Sequence, residues 1–208
     1  KDKFDLICTP AHDQNKFNNS HNVIFFEGSL AKVSLDETDE NIVLVAIGGR
    51  SKHYYFDEDS ILNQIEYFLS LYPNKEYYVF NSKRTPKSMN NKLIKLAKIK
   101  EIIFCDYKNN DTSFESILHK ASAKLITRDS VNMIFESLSC KGNTYLVDMK
   151  IKNKMNKVVR TINNLIEQKK IGHIDQSDMV DGLSATKIYK QNVYNDVFAE
   201  VEKVAYKL

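Results

Sequence analysis

The chain has 208 residues and a mass of 24.1 kDa, of which 42% are hydrophobic and 27% charged, so it has enough apolar side chains for a sizeable core. Its net charge is only +3, with acidic residues interspersed throughout, which does not indicate nucleic-acid binding. No apolar run approaches the roughly 20 residues of a membrane-spanning helix, and the first residues do not form a signal peptide.

The first 40 residues have the pattern of the end of a domain. Residues 4–9 and 23–26 are strand-like runs on either side of a polar stretch, and the acidic residues 34–41 follow as a linker. The first residue is Lys1 rather than Met, and a strand begins almost at once. We therefore expect a piece of a longer protein, with residues 1–40 as the tail of a preceding domain.

From residue 41 onward, apolar strand candidates alternate with helix candidates. The strands are predicted at 42–47, 76–81, 101–105, 123–127 and 143–148. The helices are predicted at 60–71, 88–98, 112–120, 130–140 and 154–169. At the third helix, Thr112 is expected to be the N-cap, with Glu115 completing a capping box.

This alternation predicts an α/β fold. Strands that are apolar throughout and joined by single helices form a parallel sheet covered on both faces, and right-handed crossovers favour a Rossmann-like doubly wound order 3-2-1-4-5. Ligands of such sheets bind at the carboxyl ends of the strands, beside the switch between the first and fourth strands. We expect this domain to span 41–170, and the loop and helix of 171–208 to pack back on the N-terminal part.

Three of the four arginines follow predicted strand ends. Arg50, Arg84 and Arg128 should therefore lie along one edge of the sheet. Arg binds phosphate and carboxylate groups bidentately, so the three predict a site for an anion with more than one charge. The alternative is that each arginine pairs with a nearby carboxylate, for which the candidates are Asp57, Asp106 and Asp129.

Two loops at the same edge suit a phosphate. Gly48 and Gly49 follow the first strand and allow backbone N–H groups to approach closely, although a tight turn alone also explains them. The loop after the second strand consists of Ser82, Lys83, Arg84 and Thr85, which supply two cations and two hydroxyls. The alternative is that this loop is simply solvated. Neither the dinucleotide fingerprint nor the P-loop motif occurs in the sequence.

The fourth predicted helix begins beside this edge. Its N-terminus, at Asp129 and Ser130, offers free N–H groups and a positive dipole end to a phosphate, or either residue is a plain N-cap. Glu136 lies two turns along, where a carboxylate accepts hydrogen bonds from a ribose diol unless it is an exposed helix residue. His12, next to Asp13, is a candidate general base or an ordinary surface histidine.

The histidines and cysteines do not have metal-ligand spacing, so we predict no metal. Cys8, Cys105 and Cys140 lie far apart and are expected to be reduced thiols of a cytoplasmic protein.

These motifs stand in the order of a known family. The family is the elongated-mitochondria (mitochondrial fission) family, which the chain resembles over roughly residues 1–170. The motifs that carry the resemblance are residues 10–13, 22–24, 47–54, 82–86 and 127–133, with Gly28 and Glu136. The resemblance implies the C-terminal half of a two-Rossmann-domain glycosyltransferase fold, known as GT-B. Bacterial members of the family look like glycosyltransferases, whereas plant members act as adaptors that bring a dynamin-related protein to the mitochondrial surface.

Residues 128–147 are also similar to the donor half of the peptidoglycan N-acetylglucosaminyltransferase. By that similarity, Ser130 takes the diphosphate role and Glu136 the ribose role, although a Gly after Ser130 and a Pro after Gly142 are missing. The implied activity is metal-independent glycosyl transfer from a nucleotide-diphosphate sugar, without a cofactor and with His12 as the base. A lipid or saccharide acceptor and a peripheral contact with the inner face of the membrane would fit it. The alternative is a non-catalytic adaptor that docks a protein partner.

Overall fold

The computed structural model describes residues 4–17, 20–109, 111–154, 156–175 and 194–207. For His12 and residues 194–198, only the backbone is described.

The N-terminal part is a small parallel pair of strands. Strands β1 (Ile7–Pro10) and β2 (Val23–Phe26) pair in register from Ile7 opposite Val23, and a 3-10 helix (Ala11–Lys16) follows β1 directly. The two predicted strands are therefore present, although β1 begins three residues later than predicted.

A six-stranded parallel sheet forms the centre of the molecule. Its strands lie in the order β5-β4-β3-β6-β7-β8. They are β3 (Asp39–Ala46), β4 (Glu76–Phe80), β5 (Ile103–Cys105), β6 (Ala121–Ile126), β7 (Asn143–Leu146) and β8 (Gly172–His173). The first five reproduce the predicted order 3-2-1-4-5, so the doubly wound α/β fold is confirmed. The sixth strand was not predicted, because its two residues, Gly and His, carry no apolar pattern.

The central strand is buried on both faces, which explains its unbroken apolar run. Val43 and Val45 lie in the larger core, with side chains of the helices that follow β3 and β4. Leu44 lies in a second cluster with Ile117 and Leu118. These three side chains are completely shielded from water, and β3 pairs with β4 on one side and with β6 on the other, so it has no free edge on which a partner strand could pair.

Within the described residues, five helices connect or cover the strands, and a sixth lies near the C-terminus. They are α1 (Glu58–Ser70), α2 (Lys87–Lys100), α3 (Phe114–Lys120), α4 (Val131–Leu138), α5 (Lys157–Glu167) and α6 (Tyr194–Ala205). Helix α1 begins where Asp57 accepts hydrogen bonds from the N–H groups of Asp59 and Ser60. Asp57 is thus a helix cap and not the ion-pair partner of an arginine.

The predicted start of α3 was wrong. Ser113, not Thr112, is the N-cap, and its hydroxyl accepts from the N–H of Ser116. The predicted capping box does not form, because the Glu115 carboxylate pairs with Lys32 instead of turning back to the helix start. Two adjacent hydroxyl residues compete for the cap position here, and the sequence pattern does not distinguish them.

The segment after β2 lies along α4. Gly28 adopts a φ of 63°, and a Cβ there would be 1.8 Å from the ring of Phe135. Ser29 Oγ donates to Asn132 Oδ1 over 3.1 Å. Helix α6 contacts both α4 and β2. Residues 176–193, which include the start of the helix predicted at 185–206, lie outside the described residues, and the domain boundaries at 40 and 170 stay predictions.

Candidate functional site

The carboxyl ends of β3, β4 and β6 interlock through hydrogen bonds. Gly48 N donates to Thr127 Oγ1 over 2.8 Å, and Ser82 Oγ donates to the Gly48 carbonyl over the same distance. Thr85 Oγ1 donates to the carbonyls of Ile47 and Gly48. The predicted loops therefore meet where the carboxyl-end rule places them, and their hydroxyls hold the backbone of the central loop.

Both glycines are required by close approaches within the protein. A Cβ on Gly48 would lie 2.3 Å from Asp129 Oδ2, and a Cβ on Gly49 would lie 2.0 Å from the Arg84 carbonyl oxygen. Real Cβ atoms do not approach other atoms so closely. The pair of glycines thus lets three loops pack together, a reason that sequence reasoning did not consider.

Asp129 joins this interlock to a half-exposed arginine. Its Oδ2 accepts from Gly49 N over 2.8 Å and lies 2.9 Å from Arg84 Nη2. The Asp129 side chain is fully buried, whereas 46% of the Arg84 side chain is exposed. Burial raises the pKa of Asp129, while hydrogen bonds from Thr127 and Gly49 and the charge of Arg84 act in the opposite direction. The Asp129 carboxylate therefore orients Arg84 and leaves part of that guanidinium open to solvent.

Arg128 lies in a different environment. Only 6% of it is exposed, and its Nη2 lies 3.3 Å from Asp148 Oδ1. Burial lowers the pKa of Arg128, while the nearby Asp148 carboxylate raises it. Its Nε is buried and, within the part of the chain that the structure describes, has no hydrogen-bond partner. Arg128 is thus held beneath the surface by a carboxylate.

The loop after β3 turns toward the end of β7. Tyr54 forms an antiparallel bridge with Ile151, and the N–H of Tyr55 donates to the Lys150 carbonyl over 2.9 Å. Tyr54 is fully buried, and its pKa is raised to about 12 by that burial. Arg50, in the same loop, is exposed. The three arginines expected at one edge therefore occupy three environments: exposed, half-exposed with Asp129, and buried with Asp148.

The N-terminus of α4 has no side-chain cap. Ser130 occupies the N-cap position with extended backbone (φ −121°, ψ 95°), but its hydroxyl makes no capping hydrogen bond. Asp129 does not cap the helix either, because its carboxylate is engaged by Gly49 and Arg84. Unsatisfied N–H groups and the positive end of the helix dipole at such a terminus suit an anion.

Glu136 lies on the following turns of α4 and is half-buried. Burial raises its pKa, as does the negative charge of Glu115. No hydrogen-bond donor within the described ranges reaches its carboxylate. The side chain is therefore available to accept hydrogen bonds from a polar ligand.

The predicted base is His12. His12 lies in the 3-10 helix after β1, and its side chain is outside the described residues. The neighbouring Asp13 binds Lys16 and Lys157 at 2.9 Å and 3.0 Å, and its hydrogen bonds with these lysines lower its pKa to about 2. The Lys157 contact ties the 3-10 helix to the first turn of α5.

Sequence reasoning missed Asp148 and Lys124. Asp148 is the last residue of the strand predicted at 143–148, so the carboxyl-end rule applied to carboxylates would have placed it at this edge. Lys124 is fully buried in β6, where its Nζ donates to the carbonyls of Ser137 and Lys141 and lies 3.0 Å from Cys140 Sγ. An apolar strand pattern with one lysine gives no signal of that burial.

Among the described residues there is no cluster of three His, Cys, Asp or Glu side chains that could hold a metal ion. Within the same ranges, no helix is long and apolar enough to cross a membrane.

A family model shows to which protein family the chain belongs. The model described as mitochondrial fission ELM1 matches residues 1–207. The chain belongs to the mitochondrial fission ELM1 family. The resemblance noted over residues 1–170 is thereby confirmed, and the ELM1 match extends to the C-terminal helix. No curated protein matches the chain.

Two solved structures are similar to this ELM1-family chain. The crystal structure of TarM has 14% sequence identity and a TM-score of 0.43, and the match covers 99% of this chain and 40% of TarM. The crystal structure of a GtfA/B complex has 10% identity and a TM-score of 0.44, and the match covers 97% of this chain and 42% of the other. The chain therefore spans about two fifths of the solved chains that it matches.

Proposed function

We propose that this ELM1-family chain binds a nucleotide-diphosphate sugar at the carboxyl edge of its sheet and forms the donor half of a metal-independent glycosyltransferase. One observation carries the proposal. The uncapped N-terminus of α4 begins directly after Asp129, the buried carboxylate that holds the half-exposed Arg84 guanidinium.

The diphosphate would bind between these two groups. The first-turn N–H groups of α4 and the exposed N–H groups of Arg84 are donors with positive charge, which is what a diphosphate needs. Asp129 holds Arg84 in place before a ligand arrives, so little reorganisation accompanies binding. Arg50 and Lys83 are exposed in the adjacent loops and would add further attraction. The loop that contains Lys83 and Arg84 has no carboxylate of its own.

The nucleoside would lie along α4. Glu136 presents a half-buried carboxylate without a donor in the described part of the chain, and a ribose diol supplies two donors. In transfer, the charge on the departing diphosphate would be stabilised by the helix N-terminus and Arg84, which requires no metal. His12, in the segment after β1, is the proposed base that accepts the proton of the acceptor hydroxyl.

One observation favours the adaptor alternative. Arg128, expected to face the ligand, is instead buried and bound to Asp148, so its guanidinium is engaged by a carboxylate of the protein itself. In an adaptor, the Arg84–Asp129 pair would likewise be purely structural. The two functions differ in one measurable respect, which is whether a nucleotide binds.

Isothermal titration calorimetry with uridine diphosphate tests the proposal. We expect a dissociation constant of about 1 mM or tighter, which is roughly −4 kcal/mol, and weaker binding at higher salt. Arg84→Ala should weaken binding by about tenfold or more because a charge-assisted contact is lost. Arg160→Ala removes an exposed arginine from α5 and serves as the matched control. Absence of binding by any nucleoside diphosphate would refute the donor-site proposal and leave the adaptor.

A further inference from the structure

Positive charge is concentrated at one edge of the molecule. Residues 50–57, 83–87 and 148–157 follow the carboxyl ends of β3, β4 and β7, and together they carry nine Lys and Arg side chains but only two Asp. The whole chain carries only +3, so the rest of the molecule is net negative. The excess of positive charge therefore lies in these three segments, whereas Asp106, Asp129 and Asp175 follow the ends of β5, β6 and β8.

Most of this charge is not neutralised within the protein. All nine cationic side chains are exposed. Arg84 and Lys157 pair with Asp129 and Asp13. For the other seven, no carboxylate among the described residues lies within ion-pairing distance. Like charges kept together at a cost in repulsion indicate that an anionic partner faces them.

An aromatic side chain lies in the middle of the lysines. Tyr55 is 52% exposed, and the ammonium groups of Lys150 and Lys152 lie 5.7 Å and 5.3 Å from its ring centroid. The backbone holds this arrangement, because Tyr55 N donates to the Lys150 carbonyl and Lys152 N donates to the His53 carbonyl, each over 2.9 Å. We call Lys52, Tyr55, Lys150, Lys152 and Lys154 the Tyr55 patch.

We propose that the Tyr55 patch docks on the surface of an anionic lipid bilayer. Lysines around an exposed tyrosine are the combination that membrane interfaces select: the ammonium groups meet lipid phosphates, and the phenol ring lies at the level of the headgroups. The ring is already in contact with two ammonium groups, so it is not a free platform on which a nucleobase stacks. A soluble polyanion would use the charges alone and would have no use for the ring.

Docking in this way turns the carboxyl edge of the sheet toward the lipid. The Tyr55 patch shares no residue with the proposed donor site, whose groups are Arg84, Ser130 and Glu136. Of the cations at the same edge that lie outside the patch, Arg50, Lys83 and Arg84 belong to the diphosphate proposal. If both proposals hold, the donor sugar is presented next to the bilayer, and the acceptor is a hydroxyl or phosphate of a lipid headgroup or of a lipid-linked saccharide.

Vesicle co-sedimentation tests the proposal at about 0.15 M ionic strength, where the Debye length is about 8 Å. We expect the chain to bind vesicles of phosphatidylcholine mixed with phosphatidylglycerol and to leave pure phosphatidylcholine vesicles unbound. Each basic residue near an anionic leaflet contributes about fivefold, so Lys150→Glu with Lys154→Glu should lower the partition coefficient by at least roughly thirtyfold. The matched control is Lys95→Glu with Lys98→Glu, the same charge change on the exposed side of α2, which should retain wild-type binding.

Tyr55→Ser distinguishes a bilayer from a soluble polyanion. We expect it to weaken vesicle binding and to leave binding to inorganic polyphosphate unchanged. Vesicle binding that is equal for both charge-reversed pairs, or that Tyr55→Ser leaves intact, would overturn the proposal. Calorimetry with uridine diphosphate on the same Lys150→Glu, Lys154→Glu protein keeps the two proposals separate, because the donor site should still bind its ligand.

Discussion

Substituting Gly49 tests whether the interlocked loops are as tight as the structure indicates. In Gly49→Ala, the new Cβ would lie 2.0 Å from the Arg84 carbonyl oxygen and 2.2 Å from its carbonyl carbon. Both are backbone atoms, so no side-chain rotation relieves the contact, and the two loops must separate by about 1.4 Å or more to restore an ordinary contact. That separation would lengthen and weaken the hydrogen bond from Gly49 N to Asp129 Oδ2.

The magnitude follows from the cost of overpacking. Adding a methyl group to a well-packed site costs typically about 1–3 kcal/mol, and a backbone obstacle places Gly49→Ala at the upper end. The loss of backbone freedom in the unfolded chain returns about 0.4–1 kcal/mol. We therefore expect a net destabilisation of about 1–3 kcal/mol, which lowers the Tm by roughly 2–10 °C for a chain of this size.

Urea unfolding and a thermal melt measure the effect, with Gly48→Ala as the comparison. At Gly48 the obstacle is the Asp129 carboxylate, which can rotate, so its stability cost should be smaller. Both variants displace the Asp129–Arg84 pair, so both should also weaken nucleotide binding. A Gly49→Ala protein as stable as the wild type would refute the close packing inferred here.

Two further predictions concern titratable groups. Burial lowers the pKa of Lys124 below its usual 10.5, so the charged lysine is less favourable in the folded chain than in the unfolded chain and costs stability at neutral pH. Lys124→Met should therefore raise the urea midpoint at pH 7, and its advantage should shrink as the pH rises toward 10.5; an advantage that does not change with pH would contradict a protonation cost. Asp13, with a pKa of about 2, should titrate in NMR spectra near that pH and lose its contacts with Lys16 and Lys157 below it. Lys157→Met should raise that midpoint, and an unchanged midpoint would show that the contact does not form in solution.

The sheet was predictable because its strands carry a strong pattern. Val43, Leu44 and Val45 form an unbroken β-branched and aliphatic run, which only burial on both faces explains, and the order of the first five strands follows from single-helix crossovers. Strand β8 escaped because Gly172 and His173 pair through backbone groups alone. The register of a two-residue strand depends on its neighbours, which a local pattern does not contain.

The site was predictable only in part. The carboxyl-end rule correctly brought the loops at Gly48 and Ser82 to one edge, because topology fixes where strand ends lie. It did not foresee that Arg128 is buried and paired with Asp148, since that pair is a contact between the loops that follow β6 and β7. Side-chain direction and ion-pair choice depend on such loop contacts, and residue type at a strand end does not specify them.

The contact between Gly28 and Phe135 connects the segment after β2 to α4. The turn after β2 rests on the middle of this helix, while Ser34 N donates to the Ser139 carbonyl near its C-terminal end. A helix of eight residues held at these points moves as a rigid rod. A rotation of the N-terminal strands against the sheet would therefore move the first amides of α4, and with them the proposed anion site.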